Sequence, residues 1–109
     1  MRRVVVTGLG IVSPLATGIE ETWSRLLAGK SGAGTISRFD ASDLPCKIAC
    51  EVKRGDGSNG TLNLDQWLDG KEQRRNDDFI QYALIAARQA LTDSGYEIKT
   101  PEQQYRTGV

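Results

Sequence analysis

The sequence predicts an α/β fold in which a buried strand packs among helices. Three stretches of the 109 residues carry this prediction: the opening RRVVVTGLG, an amphipathic helix that begins near Gly18, and the segment from Lys71 to Gly95, KEQRRNDDFIQYALIAARQALTDSG. The third stretch organises the rest, because its apolar residues spread over more of a helix than the single stripe of a surface helix. We therefore expect a long helix that is enclosed on most sides.

The opening segment, residues 2–10, contains a run of three valines closed by Gly8 and Gly10. A continuous β-branched run is typical of a strand buried on both faces of a sheet. The following GLGIVS partly matches the dinucleotide fingerprint G-x-G-x-x-G. That fingerprint needs a third glycine and a helix N-terminus at the pyrophosphate, whereas Ser13 and Pro14 stand here. We expect the glycines to permit close packing and a turn, and a nucleotide-binding α/β module stays as the alternative.

The next helix has a start signal and a stop signal. Thr17 and Glu20 have the spacing of a capping box, and Gly29 follows the last apolar residue of the stripe. These signals predict a helix over residues 18–28. Residues 30–45 are expected to form a connecting loop that Phe39 anchors to the body of the protein.

The middle of the chain alternates between short elements and turns. Residues 46–52 alternate as in a half-exposed strand, with Ile48, Cys50 and Val52 on one side. Residues 54–61, RGDGSNGT, are all turn formers and predict a surface excursion. Residues 62–69 are expected to form a short helix that docks Trp67.

The long helix is expected to start with Asp77 and Asp78 in its first turn, where acidic groups suit the helix dipole, and to stop at Gly95. Residues 105–109, YRTGV, have the pattern of the first residues of another strand. The chain stops as this strand begins. Together with the excess of apolar surface on the helix, this predicts that residues 1–109 are the N-terminal portion of a larger protein.

Composition excludes several classes of function. Lys plus Arg and Asp plus Glu balance at 14 each, so no overall charge favours nucleic acid or an anionic membrane. No apolar run approaches the ~18 residues that a membrane span needs, and the N-terminus lacks a signal peptide. We therefore expect a soluble, cytoplasmic protein.

The residues that could carry chemistry are few. Histidine is absent, so the chain holds neither a Ser-His nor a Cys-His nucleophile pair. Cys46 and Cys50 alone cannot make a zinc site, which would need roughly two further ligands. A disulfide between them is disfavoured in a reducing compartment. We expect both to be small buried residues, and we expect no metal and no cofactor.

A basic cluster, Lys71, Arg74 and Arg75, precedes the long helix. Its spacing places the three cations along one side of a helical turn. Positive charge at a helix N-terminus does not favour the dipole, which suggests a functional cause such as an acidic partner. An ordinary solvated helix end is the alternative.

Beyond these patterns, the opening RRVVVTGLGIVSPLATGIEETWSRLLAGKSG, the RFD that follows and KEQRRNDDFIQYALIAARQALTDSG resemble the start of the elongating β-ketoacyl-[acyl carrier protein] synthases, with type II synthases as the nearest match. The resemblance covers the chain in order, apart from the RGDGSNG excursion. It implies a thiolase fold, layered α-β-α-β-α around mixed five-stranded sheets, and a homodimer. It also implies a decarboxylating Claisen condensation that extends acyl chains on acyl carrier protein, using a cysteine and two histidines.

None of those catalytic residues is present, and neither Cys46 nor Cys50 matches the family's nucleophile motif. What the resemblance does assign is a docking site: basic residues of the KEQR segment meet the acidic helix of acyl carrier protein, and they match Lys71, Arg74 and Arg75. The segment is thus expected to be inactive alone. A polyketide-type or chain-length-factor relative that lacks the cysteine is a further alternative.

Overall fold

The computed structural model describes residues 1–108, which form short and medium helices around one long helix and a small two-stranded sheet. The elements are α1 (Ile19–Leu27), β1 (Ala33–Thr35), β2 (Ile48–Cys50), single 3₁₀ turns at Ser58–Gly60 and Leu64–Gln66, α2 (Gly70–Arg75), α3 (Asp78–Ser94) and α4 (Pro101–Arg106). β1 and β2 pair antiparallel, with Ala33 opposite Cys50 and Thr35 opposite Ile48.

The opening valines do not form the strand that the sequence predicts. Residues 1–10 are in no helix or strand, and Val4, Val5 and Val6 are largely exposed. A strand needs a neighbour to receive its backbone hydrogen bonds, and no strand of residues 1–108 lies beside it. The glycines instead pack closely on α3, as expected. The backbone N–H groups of Leu9 and Ile11 donate to side chains of that helix, over 2.9 Å in both cases.

Helix α1 confirms the predicted position, but the predicted capping box is wrong. The N-cap is Gly18, with φ of 97°, and no side chain caps the helix. A glycine tolerates this positive φ, so the helix begins one residue later than a Thr17 cap requires. The hydroxyl of Thr17 is buried with no hydrogen-bond partner among the described residues. At the other end, Gly29 also has positive φ, of 65°, as its position after the last turn requires.

Residues 30–52 differ from their prediction, and several of their large apolar side chains, among them Phe39 and Ile48, are exposed. The expected loop contains β1, and Phe39 does not anchor it, because that side chain is 58% exposed. The predicted strand is reduced to β2, where Ala49 rather than Ile48 or Cys50 is partly covered. A two-stranded sheet with no second layer over its outer face leaves that face in water.

The two cysteines are free, as expected, but they are exposed rather than buried. Cys50 belongs to the uncovered face of β2, and Cys46 precedes the strand. The Sγ of Cys46 makes one weak contact, 3.6 Å from the carbonyl oxygen of Ile48. The expectation that they are small core residues was therefore wrong for this structure.

Helix α3 carries the core, and Gly95 ends it in the left-handed conformation, with φ of 63°, as predicted. Only Gln81 and Ile85 are fully buried along α3, so the expectation of a helix enclosed on most sides is wrong here. Phe79, at its start, is 71% exposed. The buried cluster consists of Leu62, Leu68 and Ile85, with Val12, Val52, Leu64, Trp67, Tyr82 and Leu84 packed around it.

The segment between the sheet and α2 matches its prediction. Residues 54–61 are turns and one 3₁₀ turn, and Leu64–Gln66 forms a second 3₁₀ turn that leaves Trp67 half-buried against the core. The excursion is attached to α1, since the backbone N–H of Thr17 donates to Gly60 over 2.9 Å. Arg25 also donates to the carbonyl oxygen of Asn59.

Residues 101–106 form helix α4 rather than the start of a strand, and Val109 lies outside the described residues. Thr100 and Gln103 make a capping box, and Pro101 occupies the first helical turn. Proline and a capping box at these positions are strong helix-start signals, and they outweigh the apolar pattern of YRTGV. The prediction of a strand at residues 105–108 is therefore wrong.

The molecule is elongated, with principal extents of 55 × 36 × 27 Å and a radius of gyration of 16.9 Å. A compact domain of about 100 residues would have a radius near ~13 Å. Much apolar surface therefore stays uncovered. Over residues 1–108, the helices are too short or too polar to cross a membrane.

Candidate docking surface

The three cations of the basic cluster lie together on α2, a helix of six residues. Asp69 caps its start: the Oδ1 atom accepts from the backbone N–H of Lys71 over 2.8 Å and from that of Glu72 over 2.7 Å. In return, Glu72 Oε2 accepts from the backbone N–H of Asp69 over 3.2 Å. This capping box fixes where α2 begins. The spacing of Asp69 and Glu72 is the sequence signal of this capping box, which the predictions above do not include.

The position of the cations relative to the helix dipole corrects the sequence analysis. A break at Asn76, where φ is −120° and ψ is 135°, separates α2 from α3. Arg74 and Arg75 thus lie in the last turn of their own helix, where positive charge favours the dipole. The conflict inferred from the sequence does not exist for the two arginines and applies to Lys71 alone of the three cations, which lies in the first turn of α2.

The ion pairs around the basic cluster give separate support for a docking surface. Glu72 Oε1 pairs with Arg88 Nη2 over 2.8 Å, and both oxygens of Asp78 pair with arginines from other parts of the chain. Among residues 1–108, no carboxylate oxygen lies within 4.0 Å of a charged nitrogen of Lys71, Arg74 or Arg75. All three side chains are exposed. The surface therefore presents three cations, while the nearby carboxylates of Glu72 and Asp78 pair with arginines from elsewhere in the chain.

The arginines on Asp78 come from distant loops. Arg38 donates to Asp78 Oδ2 and, over 2.6 Å, to the hydroxyl of Tyr82, while Arg54 donates to Asp78 Oδ1. Burial raises the pKa of Asp78, but the hydrogen bonds and charges of the two arginines outweigh it, so that pKa lies below its ordinary value. The hydrogen bond to Tyr82, followed by that to Asp78, raises the pKa of Arg38.

The ion pairs of Asp78 with Arg38 and Arg54 join two loops to the start of α3, close to the end of α2. Arg38 and Arg54 lie 40 and 24 residues from Asp78 along the chain. No local spacing in the sequence could have indicated these pairs.

Other kinds of site find no support in the described part of the chain. No group of three or more cysteine, aspartate or glutamate side chains among residues 1–108 is arranged to hold a metal ion. The space over Gly8 and Gly10, where a nucleotide-binding loop would need room, is filled by the backbone of α3. The alternative of a nucleotide site at GLGIVS therefore loses its structural basis.

Comparisons with known proteins agree with the resemblance seen in the sequence. A family model described as "Beta-ketoacyl synthase, N-terminal domain" matches residues 1–109. The 3-oxoacyl-[acyl-carrier-protein] synthase 2 of Rhizobium meliloti is 52% identical over 109 residues, which cover 100% of this chain and 26% of that protein. The protein of the same name from Coxiella burnetii is 50% identical over 97 residues, or 89% of this chain and 22% of its own length. The chain thus spans about a quarter of the length of these curated relatives.

A solved structure extends the likeness to the fold. The ishigamide ketosynthase/chain length factor is similar with a TM-score of 0.74 and 38% sequence identity, over 88% of this chain and 22% of that one. This agreement in backbone fold includes the mixed helices and the small sheet described above only as part of a much longer chain. From the family model and these relatives, the chain belongs to the β-ketoacyl synthase family, whose N-terminal domain it matches.

Proposed function

We propose that this chain is the N-terminal segment of a 3-oxoacyl-[acyl carrier protein] synthase that elongates acyl chains in fatty acid biosynthesis. The parent enzyme would take an acyl group from one acyl carrier protein, releasing its thiol, and join it to the malonyl group on a second, with loss of CO₂, by decarboxylating Claisen condensation. The 52% identity over all 109 residues to a protein named 3-oxoacyl-[acyl-carrier-protein] synthase 2 supports this assignment. In the parent, these residues would supply scaffold and a docking surface.

The scaffold role accounts for the uncovered apolar surface. Val5, Leu27 and Phe79 are each at least 70% exposed. Patches of this kind mark surfaces that another part of a protein covers. We propose that the rest of the thiolase-like fold covers them, that residues 1–109 belong to its first half, and that the parent is a cytoplasmic homodimer.

The docking role is carried by one observation: three exposed cations on a capped helix have no carboxylate partner within 4.0 Å among residues 1–108. An acidic helix of acyl carrier protein would neutralise these cations without displacing an existing ion pair. Exposed charges at the rim of an interface mainly increase the association rate, and salt screens them. Binding through this surface should therefore be fast, modest in affinity and sensitive to salt.

The chemistry would belong to the remainder of the parent. Claisen condensation needs a nucleophile to take the acyl group and groups that stabilise the developing oxyanion. This chain has no histidine, and both of its cysteines are free and exposed. The isolated chain is accordingly expected to have no condensing activity.

The docking role can be tested by steady-state kinetics of the full-length parent. Reversing all three charges, with Lys71→Glu, Arg74→Glu and Arg75→Glu, should raise KM for acyl-loaded carrier protein about tenfold at low salt, because exposed ion pairs contribute about 0.5 kcal/mol each. The kcat should change little. The matched control is charge reversal at Arg106, an exposed residue of α4. An unchanged KM at low salt would remove the docking assignment.

A polyketide-type partner subunit is the second candidate. The tetracenomycin polyketide synthase ketoacyl synthase beta subunit of Streptomyces glaucescens is 43% identical over 97% of this chain. The two candidates differ in the parent's reactive cysteine, which a chain-length-factor relative would lack. Iodoacetamide should label one cysteine beyond residue 109 and abolish condensation if the parent is a synthase. No labelling in that region would favour the second candidate.

A further inference from the structure

Contacts with the rest of the protein must set the orientation of the docking helix, because α2 is only six residues long. Isolated helices shorter than about 12 residues are marginal in water even with favourable sequences. Most stability of such a helix comes from contacts with its surroundings. Two side chains of α3, Gln81 and Arg88, attach α2 to that helix. Gln73 of α2 attaches it to the preceding turn by donating to Asp65 and Leu68.

Gln81 holds the end of α2. Its amide Nε2 donates to the carbonyl oxygen of Gln73 over 2.9 Å and to that of Asn76 over 2.7 Å. These carbonyls lie in the last turn of α2 and just beyond it, where helices leave such groups without intrahelical partners. The residue is only 5% exposed. Only the NH₂ side of the amide can face two carbonyl oxygens, so the orientation of the group is determined.

Arg88 holds the beginning of α2. Its Nη2 pairs over 2.8 Å with Oε1 of Glu72, the residue whose other oxygen completes the capping box. Its Nη1 donates to the carbonyl oxygen of Trp67, just before the helix. Gln81 and Arg88 lie seven residues apart on α3, which is about two helical turns. One face of α3 therefore contacts both ends of α2.

We propose that Gln81 and Arg88 are positioning residues for carrier-protein docking: they fix α2 so that Lys71, Arg74 and Arg75 point together toward the acidic partner. The proposal rests on the docking function above. Neither residue has to touch the carrier protein. Loss of either contact should let α2 move relative to α3, which spreads the three charges and weakens encounter without altering the chemical step.

The test measures KM and kcat of the full-length parent for carrier protein loaded with an acyl group, at low salt and near 1 M salt. Gln81→Met keeps side-chain length but removes the donors. It should raise KM roughly twofold to fivefold at low salt, the range of a lost exposed ion pair, with kcat unchanged. Near 1 M salt the Debye length is only about 3 Å, so the difference from wild type should vanish. In an Arg74→Ala, Arg75→Ala background, Gln81→Met should have no further effect on KM.

Two matched variants separate positioning from general stability. Gln89→Met makes the same chemical change on α3, but Gln89 Oε1 accepts from the backbone of Ile11, so KM should stay unchanged. The double variant Glu72→Gln, Arg88→Gln removes the ion pair at constant net charge and keeps a residue suited to the capping box. This double variant should raise KM by a similar factor to Gln81→Met. If Gln81→Met does not fold, the double variant tests the proposal in its place.

The outcomes distinguish this inference from the docking function itself. If the triple charge reversal raises KM but Gln81→Met and the double variant do not, the positioning role is overturned and docking stands. The positioning role is also overturned if Gln81→Met raises KM equally at low salt, near 1 M salt and in the Arg74→Ala, Arg75→Ala background. If the triple reversal leaves KM unchanged, the docking function fails, and the positioning role fails with it.

Discussion

Gly10 lies directly against the backbone of Ala86 on α3. A Cβ atom at residue 10 would overlap the carbonyl oxygen of Ala86 and stand 2.8 Å from the backbone nitrogen of Ala90. Gly8 meets the same helix one turn further on, at Ala90 and Ser94. The two glycines therefore mark the place where the opening segment crosses α3, and close packing accounts for them.

Gly10→Ala should destabilise the protein, because backbone atoms of α3 cannot move aside as a flexible side chain can. We expect the free energy of unfolding to fall by about 1–3 kcal/mol, the usual range for overpacking. Urea denaturation followed by circular dichroism measures the change. Gly34→Ala is the control, since nothing lies within 4 Å of a Cβ atom there. Equal effects of the two substitutions would contradict the packing role.

Asp78→Asn should change how stability depends on pH. The carboxyl has a folded-state pKa below its ordinary value of 3.8, so its contribution is present above about pH 4 and is lost as pH falls through the lowered pKa. At pH 7 the variant should be less stable by at most about 1 kcal/mol, because both arginine pairs are partly exposed. Toward pH 3 the stabilities of variant and wild type should converge.

The measurement is the urea midpoint at pH 7, 5 and 3. Asp77→Asn serves as the control, since Asp77 makes no ion pair and its side chain accepts no cap hydrogen bond among the described residues. A stability difference between Asp78→Asn and wild type that is equal at all three pH values would show that the cluster with Arg38 and Arg54 does not stabilise the fold through its charge.

Both cysteines should react with Ellman's reagent in the absence of denaturant, because both are exposed and neither is in a disulfide. Cys46→Ser and Cys50→Ser should each remove one of the two reactive thiols, which assigns the reaction to these positions. Thiols that react only after unfolding would show that another part of the molecule covers β2.

Elements with local signals could be predicted from the sequence. Helix α1 follows from its apolar stripe, and the end of α3 follows from Gly95, since both signals lie within a few residues of the feature they determine. The turns of residues 54–61 follow from composition alone. The cluster of Lys71, Arg74 and Arg75 was also identified, because three nearby cations on one helix turn are visible in the sequence itself.

Features that depend on a distant partner could not be predicted. The three opening valines have strand propensity, but a strand exists only beside another one, and no strand among residues 1–108 lies beside them. The break at Asn76 reversed the dipole argument for Arg74 and Arg75, since the basic segment was interpreted as the turn before the long helix and not as the end of a separate helix. Gln81 gave no signal, because its role depends on where the end of α2 lies in space.

The central claim is that this chain docks a protein-bound acyl group but performs no chemistry on it. The most direct measurement compares kcat/KM of the full-length parent on an acyl-carrier protein and on the same acyl group carried by a small thiol such as N-acetylcysteamine. Reversing the charges of Lys71, Arg74 and Arg75 should lower kcat/KM about tenfold for the protein-bound substrate and leave the small thioester within about twofold. Equal losses on both substrates, or no loss on either, would contradict the account.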